Sequence, residues 1–132
     1  MGAACNTAHM QNPENLRVTA VAEDLAVRVY GFIKTLPDEE RNNLVSQMRR
    51  SASSIVHNIY EACGKEGNRA MLPFLHHAMG SASELDGQFR FTQRVEIGDQ
   101  RMAQKLWNKT VHLKIMLSKL IKSIQTRLDD EP

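Results

Sequence analysis

Gln47, Arg50, Ser54, Asn58 and Glu61 are spaced so that a helix would carry all five on one side. At about 100° per residue, Arg50 at 0° puts Glu61 near 20°, Ser54 near 40°, Gln47 near 60° and Asn58 near 80°. Such a stripe could hydrogen-bond a neighbouring helix, or it could move protons. The second use needs another carboxylate, and Glu84 is the candidate, with Glu61 and Glu84 as acid and base. No nucleophile, metal set or phosphate loop accompanies them, so a satisfied polar network that fixes helix register is the preferred reading. Its matching surface is the small-residue stretch Ala78, Gly80, Ser81, Ala82 and Ser83. Glycine inside a helix costs about 0.8–1 kcal/mol relative to alanine, so Gly80 points to close packing. Glu84 is expected to accept from Arg50 or Asn58.

Other chemistry lacks its partners. His76 and His77 are adjacent and point about 100° apart, unlike the i, i+4 histidines of a metal site. His57 and Cys63 are poorly aligned for a common site. There is no CxxC, HExxH, GxSxG, GxGxxG or P-loop motif, and no cofactor or metal is expected. The seven Met suit core filling. Cys5 and Cys63 form no disulfide framework, which favours a reduced cytoplasmic setting. Aromatics make up only 5%, which argues against single-strand recognition by stacking.

Charge is unevenly placed. Residues 88–127 hold nine Lys/Arg against Glu96 and Asp99, a net of +7, while the whole chain carries only +2. Arg90, Arg94, Arg101, Lys105, Lys109, Lys114, Lys119 and Lys122 are the candidate nucleic-acid contacts. A solvated helix face accounts for the same pattern, and both readings stand at this point.

The elements that must position these groups are helices. The chain has 132 residues and is 42% hydrophobic, enough for one domain with a real core. No apolar run approaches the roughly 18–20 residues of a membrane span. Met1–Thr7 lacks the charged and apolar regions of a signal peptide, and Asn6 stands where myristoylation needs Ser or Thr. Residues 1–11 read as a disordered tail, 12–128 as the folded domain and 129–132 as an acidic tail. Asn12-Pro13-Glu14 opens the first helix as cap, proline and dipole-favoured acid. Val18, Ala22, Leu25, Val29, Phe32 and Leu36 form its seam. Pro37 ends it and Asp38 starts a second helix running to Cys63, with Leu44, Met48, Ala52, Ile55, Ile59 and Ala62 as its apolar arc. Gly64 suits a C′ position and Asn68 an N-cap. The third helix carries Leu75, Ala78, Ala82, Leu85 and Phe89; Pro73 predicts a regular start nearer Met71, or a bend. Asp99 caps the longest helix, whose seam is Leu106, Thr110, Leu113, Leu117, Leu120 and Ile124, broadened by Met116, Ile121 and Leu128. Four amphipathic helices with short loops predict an all-α, antiparallel, up-down-up-down four-helix bundle.

Gln47-Met48-Arg49-Arg50, then Ser54-Ile55, Asn58-Ile59 and Glu61, resembles a motif of the bacterial four-helix bundle protein family, the 23S rRNA intervening-sequence proteins. Phe74-Leu75, Ala78, Gly80-Ser81 and Glu84-Leu85 resembles that family's second motif, and Leu36–Arg41 with Leu44 the segment ahead of both. The resemblance covers roughly residues 14–125. Asn58-Ile59-Tyr60-Glu61-Ala62 departs from the family's usual Asn-Ile-Ala-Glu-Gly, and Pro73 from its regular helix start. The resemblance implies a small cytosolic bundle that assembles as a homopentameric ring, without enzymatic activity. It also implies kinship with the accessory proteins of diversity-generating retroelements, which are basic pentamers. Two functions follow as expectations: a structural or adaptor ring with a protein partner, or a pentamer that binds RNA or nucleoprotein through the basic residues of the last helix.

Overall fold

The protein is described here by a computed structural model, whose described residues are 13–131, with side chains from Asn15 onward. The expected tail over 1–11 and the expected cap at Asn12 lie outside them. Helix α1 spans Pro13–Ile33, α2 Ser46–Gly64, α3 Asn68–Arg94 and α4 Gln100–Asp129. Among the described residues there is no strand. α1 packs against α2 and α4, and α3 packs against α2 and α4, so the four helices close into a square. Side-chain links show the alternating directions. Thr35, just past α1, meets Asp99 at the start of α4, whereas Asp24 in α1 meets Lys109 further along α4. Ser54 of α2 meets Ser81 of α3.

The apolar seams read from the sequence all converge on one core. Every residue of the α1 and α2 arcs, Leu75–Phe89 of α3 and Leu106–Ile124 of α4 is buried. Phe32 and Phe89 meet edge to face across the square, with ring centroids 5.3 Å apart. Thr19, Thr92 and Thr110 are buried too, and each hydroxyl donates to a carbonyl three or four residues back in its own helix.

Four local details differ from the expectations. α1 ends at Ile33, and Leu36 packs from the following turn. The segment expected to open the second helix is instead a 3₁₀ turn, Asp38–Glu40, followed by a π-turn, Arg41–Val45. Widening the helix by one residue there lets Leu44 reach the core while the acidic turn stays in water. Gly64 is the last residue of α2; the left-handed position is Gly67, at φ 85°, and Asn68 lies inside α3. α3 runs through Pro73, which is exposed and lacks the amide hydrogen that an interior helical residue donates.

The corner between α3 and α4 is tightly built. Gly98 adopts φ 74°, and a Cβ there would lie 2.9 Å from Leu36 Cδ2 and 3.0 Å from Phe32 Cζ. Asp99 caps α4 as expected, accepting from the Met102 amide at 3.0 Å. The Asp99 amide in turn donates to Thr35 Oγ1 at 2.9 Å, which ties this corner to the end of α1.

Candidate functional site

The polar stripe on α2 divides along its length. Ser54 Oγ and Ser81 Oγ are 2.8 Å apart across the α2–α3 contact, and Asn58 Nδ2 donates to both the carbonyl (2.8 Å) and the hydroxyl (3.1 Å) of Ser54. Gln47 Nε2 donates to Asn43 Oδ1, whose amide reaches Glu40, so this end of the stripe bonds along its own helix. Arg50 and Glu84 are exposed, and their side chains make no hydrogen bond or ion pair among the described residues. Glu61 is exposed and lies 4.0 Å from Lys65, one turn on. The contacts expected of Glu84 with Arg50 or Asn58 are therefore not formed. Ser54, Asn58 and Ser81 are brought together; Gln47, Arg50, Glu61 and Glu84 are not joined to them. Gly80 is exposed and a Cβ added there would meet nothing within 4 Å, so the close packing expected of it is not formed.

A second polar cluster, which sequence reasoning missed, sits between α3 and α4. Asp86 is 8% exposed. Trp107 Nε1 donates to its Oδ1 at 2.7 Å and Lys114 Nζ to its Oδ2 at 3.0 Å, while Arg90 lies 3.8 Å from Oδ1. The Arg90 guanidinium also covers the Trp107 ring at 5.5 Å. Burial alone would push the Asp86 carboxyl up. The hydrogen bonds from Lys114 and Trp107, with the Lys114 and Arg90 charges, outweigh it and hold its pKa below the ordinary carboxylate value. A signal existed: Asp is a poor mid-helix residue, and Asp86 directly follows a core leucine with the one Trp of the chain in the next helix.

This cluster changes the account of the basic segment. Arg90 and Lys114 are committed to Asp86, and Lys109 lies 3.7 Å from Asp24, which also holds Arg28. Arg94, Arg101, Lys105, Lys119 and Lys122 make no side-chain hydrogen bond or ion pair among the described residues. With Leu106 at 0°, Arg101, Lys105, Lys109, His112 and Lys119 fall within about 220–300° of the α4 wheel, on the side facing α1. Lys114 lies on the opposite flank, facing α3. Two neighbouring hollows of about 480 and 300 Å³ lie along the α1–α4 side, both lined by His112, and together they make a groove. Among the described residues no three His, Cys, Asp or Glu could jointly hold a metal, and no helix is long and apolar enough to cross a membrane.

Closed square packing, a single core and short antiparallel connections define an all-α four-helix bundle of the four-seam kind. The family described as 23S rRNA-intervening sequence protein matches residues 14–119, and the chain belongs to it. In fold it is similar to a protein of unknown function from the S23 ribosomal protein family of Bacteroides thetaiotaomicron. The two share 24% identity and a TM-score of 0.75, over 83% of this chain and 98% of that one. No curated protein matches the chain.

Proposed function

We propose that the chain is a non-enzymatic, cytoplasmic structural or adaptor subunit that assembles as a homopentameric ring. The observation that carries this is a pair of exposed apolar patches on diagonally opposed helices. Val27 and Tyr30 lie exposed one turn apart on α1, Val27 being 72% exposed, and Phe91 and Val95 lie one turn apart at the end of α3. A head-to-tail ring needs two different patches on each subunit, one for each neighbour. Exposed apolar residues that adjoin one another, unlike ones scattered singly, mark interaction surfaces. Light scattering that gives five protomer masses at micromolar concentration is the expected result, and a monomer there refutes the ring.

The free bases favour a second reading, an RNA- or nucleoprotein-binding pentamer akin to the retroelement accessory proteins. Arg94, Arg101, Lys105, Lys119 and Lys122 are uncommitted, and a ring would repeat them fivefold. Each phosphate neutralised steepens the salt dependence of log K by about 0.9 on a duplex. Anisotropy with structured RNA tests this reading, and binding indifferent to salt overturns it. Purification from nuclease-treated cells separates the two: a protein partner that survives RNase supports the adaptor.

A further inference from the structure

The α1–α4 groove combines two properties that neither a plain solvated face nor a phosphate track needs together. Its floor is apolar, formed by Val18, Ala20, Val21, Met116 and Leu120. Its rims are basic. Arg17 and Lys119 stand at one end without partners, and Lys109 stands at the other, with Lys105 and Arg101 one and two turns beyond it. Asp24 is the acid that lines the groove, and Arg28 at 2.9 Å and Lys109 at 3.7 Å already cover its charge. An anion entering the groove therefore meets a positive field with its single negative group neutralised.

From Lys109 to Lys119 the groove follows ten residues of α4, about 15 Å at 1.5 Å per residue. That is the length of about three turns of another helix. A helix laid there would put an apolar stripe on the floor and its flanking side chains against Arg17, Lys119 and Lys109. RNA would meet the bases but waste the floor. The ring among the lining residues is the His112 imidazole, where the two parts meet, so stacked bases would find a single platform rather than a series along the groove.

We infer that the α1–α4 groove is a docking site for an acidic amphipathic helix of a partner protein, with apolar residues at i, i+3, i+4 and i+7 and carboxylates on both flanks. This rests on the adaptor reading for its need of a partner, and not on the ring. The carboxylates supply selectivity and encounter rate, and the floor supplies the contact that discriminates an ordered helix from a merely acidic chain.

The probes are three fluorescent peptides of about 16 residues, compared by anisotropy near physiological salt, about 0.15 M. One carries the leucine pattern with flanking Glu, one has the same residues scrambled, and one replaces Glu by Lys. The patterned acidic peptide is expected to bind at least about tenfold tighter than either control. Arg17→Glu with Lys119→Glu removes that preference. Ala20→Trp blocks the exposed floor and abolishes binding, with far-UV circular dichroism unchanged. Lys122→Glu, off the groove, leaves binding as in the wild type. Equal binding of the scrambled peptide, no binding of the patterned one, or no effect of Ala20→Trp overturns the inference. So does a structured RNA that binds where the peptide does not and is lost in the charge-reversed variant, which makes the groove a nucleic-acid surface. Loss of oligomers in that variant also overturns it, by making the groove a contact between copies of this chain. Wild-type mass from light scattering and the partner from nuclease-treated cells are read separately. Failure of the groove thus leaves the ring and adaptor readings standing, and their failure does not alter the peptide result.

Discussion

Asp86→Asn removes the charge on which Trp107, Lys114 and Arg90 converge. The asparagine carbonyl can accept from Trp107 or from Lys114, but its amide then faces the other donor. Lys114, whose side chain is 29% exposed, loses its counter-ion. Removing one partner from a fully buried pair costs about 3–5 kcal/mol. Lys114 can still reach water, so a lower figure of about 2–3 kcal/mol is expected. The assay is urea unfolding followed by far-UV circular dichroism at fixed protomer concentration. Trp107 fluorescence is unsuitable, because its indole bonds the mutated group. Asp86→Leu with Lys114→Met, which removes both charges, should recover part of the loss, the Trp107 N–H still lacking its acceptor. The pH dependence has a fixed sign. Burial raises the Asp86 pKa, but the bonds and charges from Lys114, Trp107 and Arg90 leave it lowered. Its stabilisation is therefore complete above the unfolded carboxylate value, about 3.9, and is lost as pH falls through the lower folded value. The gap between wild type and Asp86→Asn should be constant above about pH 5 and close in acid. A loss below about 0.5 kcal/mol at pH 7, or a gap that widens in acid, refutes the reasoning.

Gly98→Ala places a Cβ against Leu36 and Phe32 at a left-handed φ and should lower stability by about 2 kcal/mol in the same unfolding assay. Ser51→Ala should be neutral or should raise Tm, because the buried Ser51 hydroxyl has no partner among the described residues and alanine is the better helix former. Ser54→Ala and Ser81→Ala should each cost about 1 kcal/mol, the double variant less than their sum, as a double-mutant cycle will measure. Tyr60→Phe removes the phenol that donates to Glu23 across α1 and α2 and should cost about 1 kcal/mol by denaturant midpoint.

How far each feature could be read in advance followed its range along the chain. The heptad seams of α1, α2, α3 and α4 were legible because burial repeats every three to four residues, and all of their positions are buried. The Asp99 cap was legible because a cap is a local bond, Met102 to Asp99. The opening of α2 was not. Residues 38–45 wind as a 3₁₀ turn and then a π turn, from which Leu44 is buried, and no local pattern in the sequence marks that change of winding. On the polar stripe the wheel placed Ser54 correctly on the flank that meets α3, but it could not say which of its neighbours would find a partner across the contact. Arg50, Glu61 and Glu84 stand in water, outside the bonds that join Ser54, Asn58 and Ser81.

The sequence by itself therefore determined the number of helices, their apolar faces and their order, since short connections force neighbours to run antiparallel. It also determined that positive charge gathers on the last helix and the segment before it. Only the tertiary structure decided which of those charges are free. Lys114 and Arg90 face Asp86 from positions that no local pattern pairs with it, and Lys109 turns toward Asp24. The physical reason is rotation: each helix settles about its own axis to bury its seam, and that angle fixes which flank meets which neighbour. The same rotation leaves an apolar floor and unpaired bases along α1 and α4, a groove that no single helix encodes.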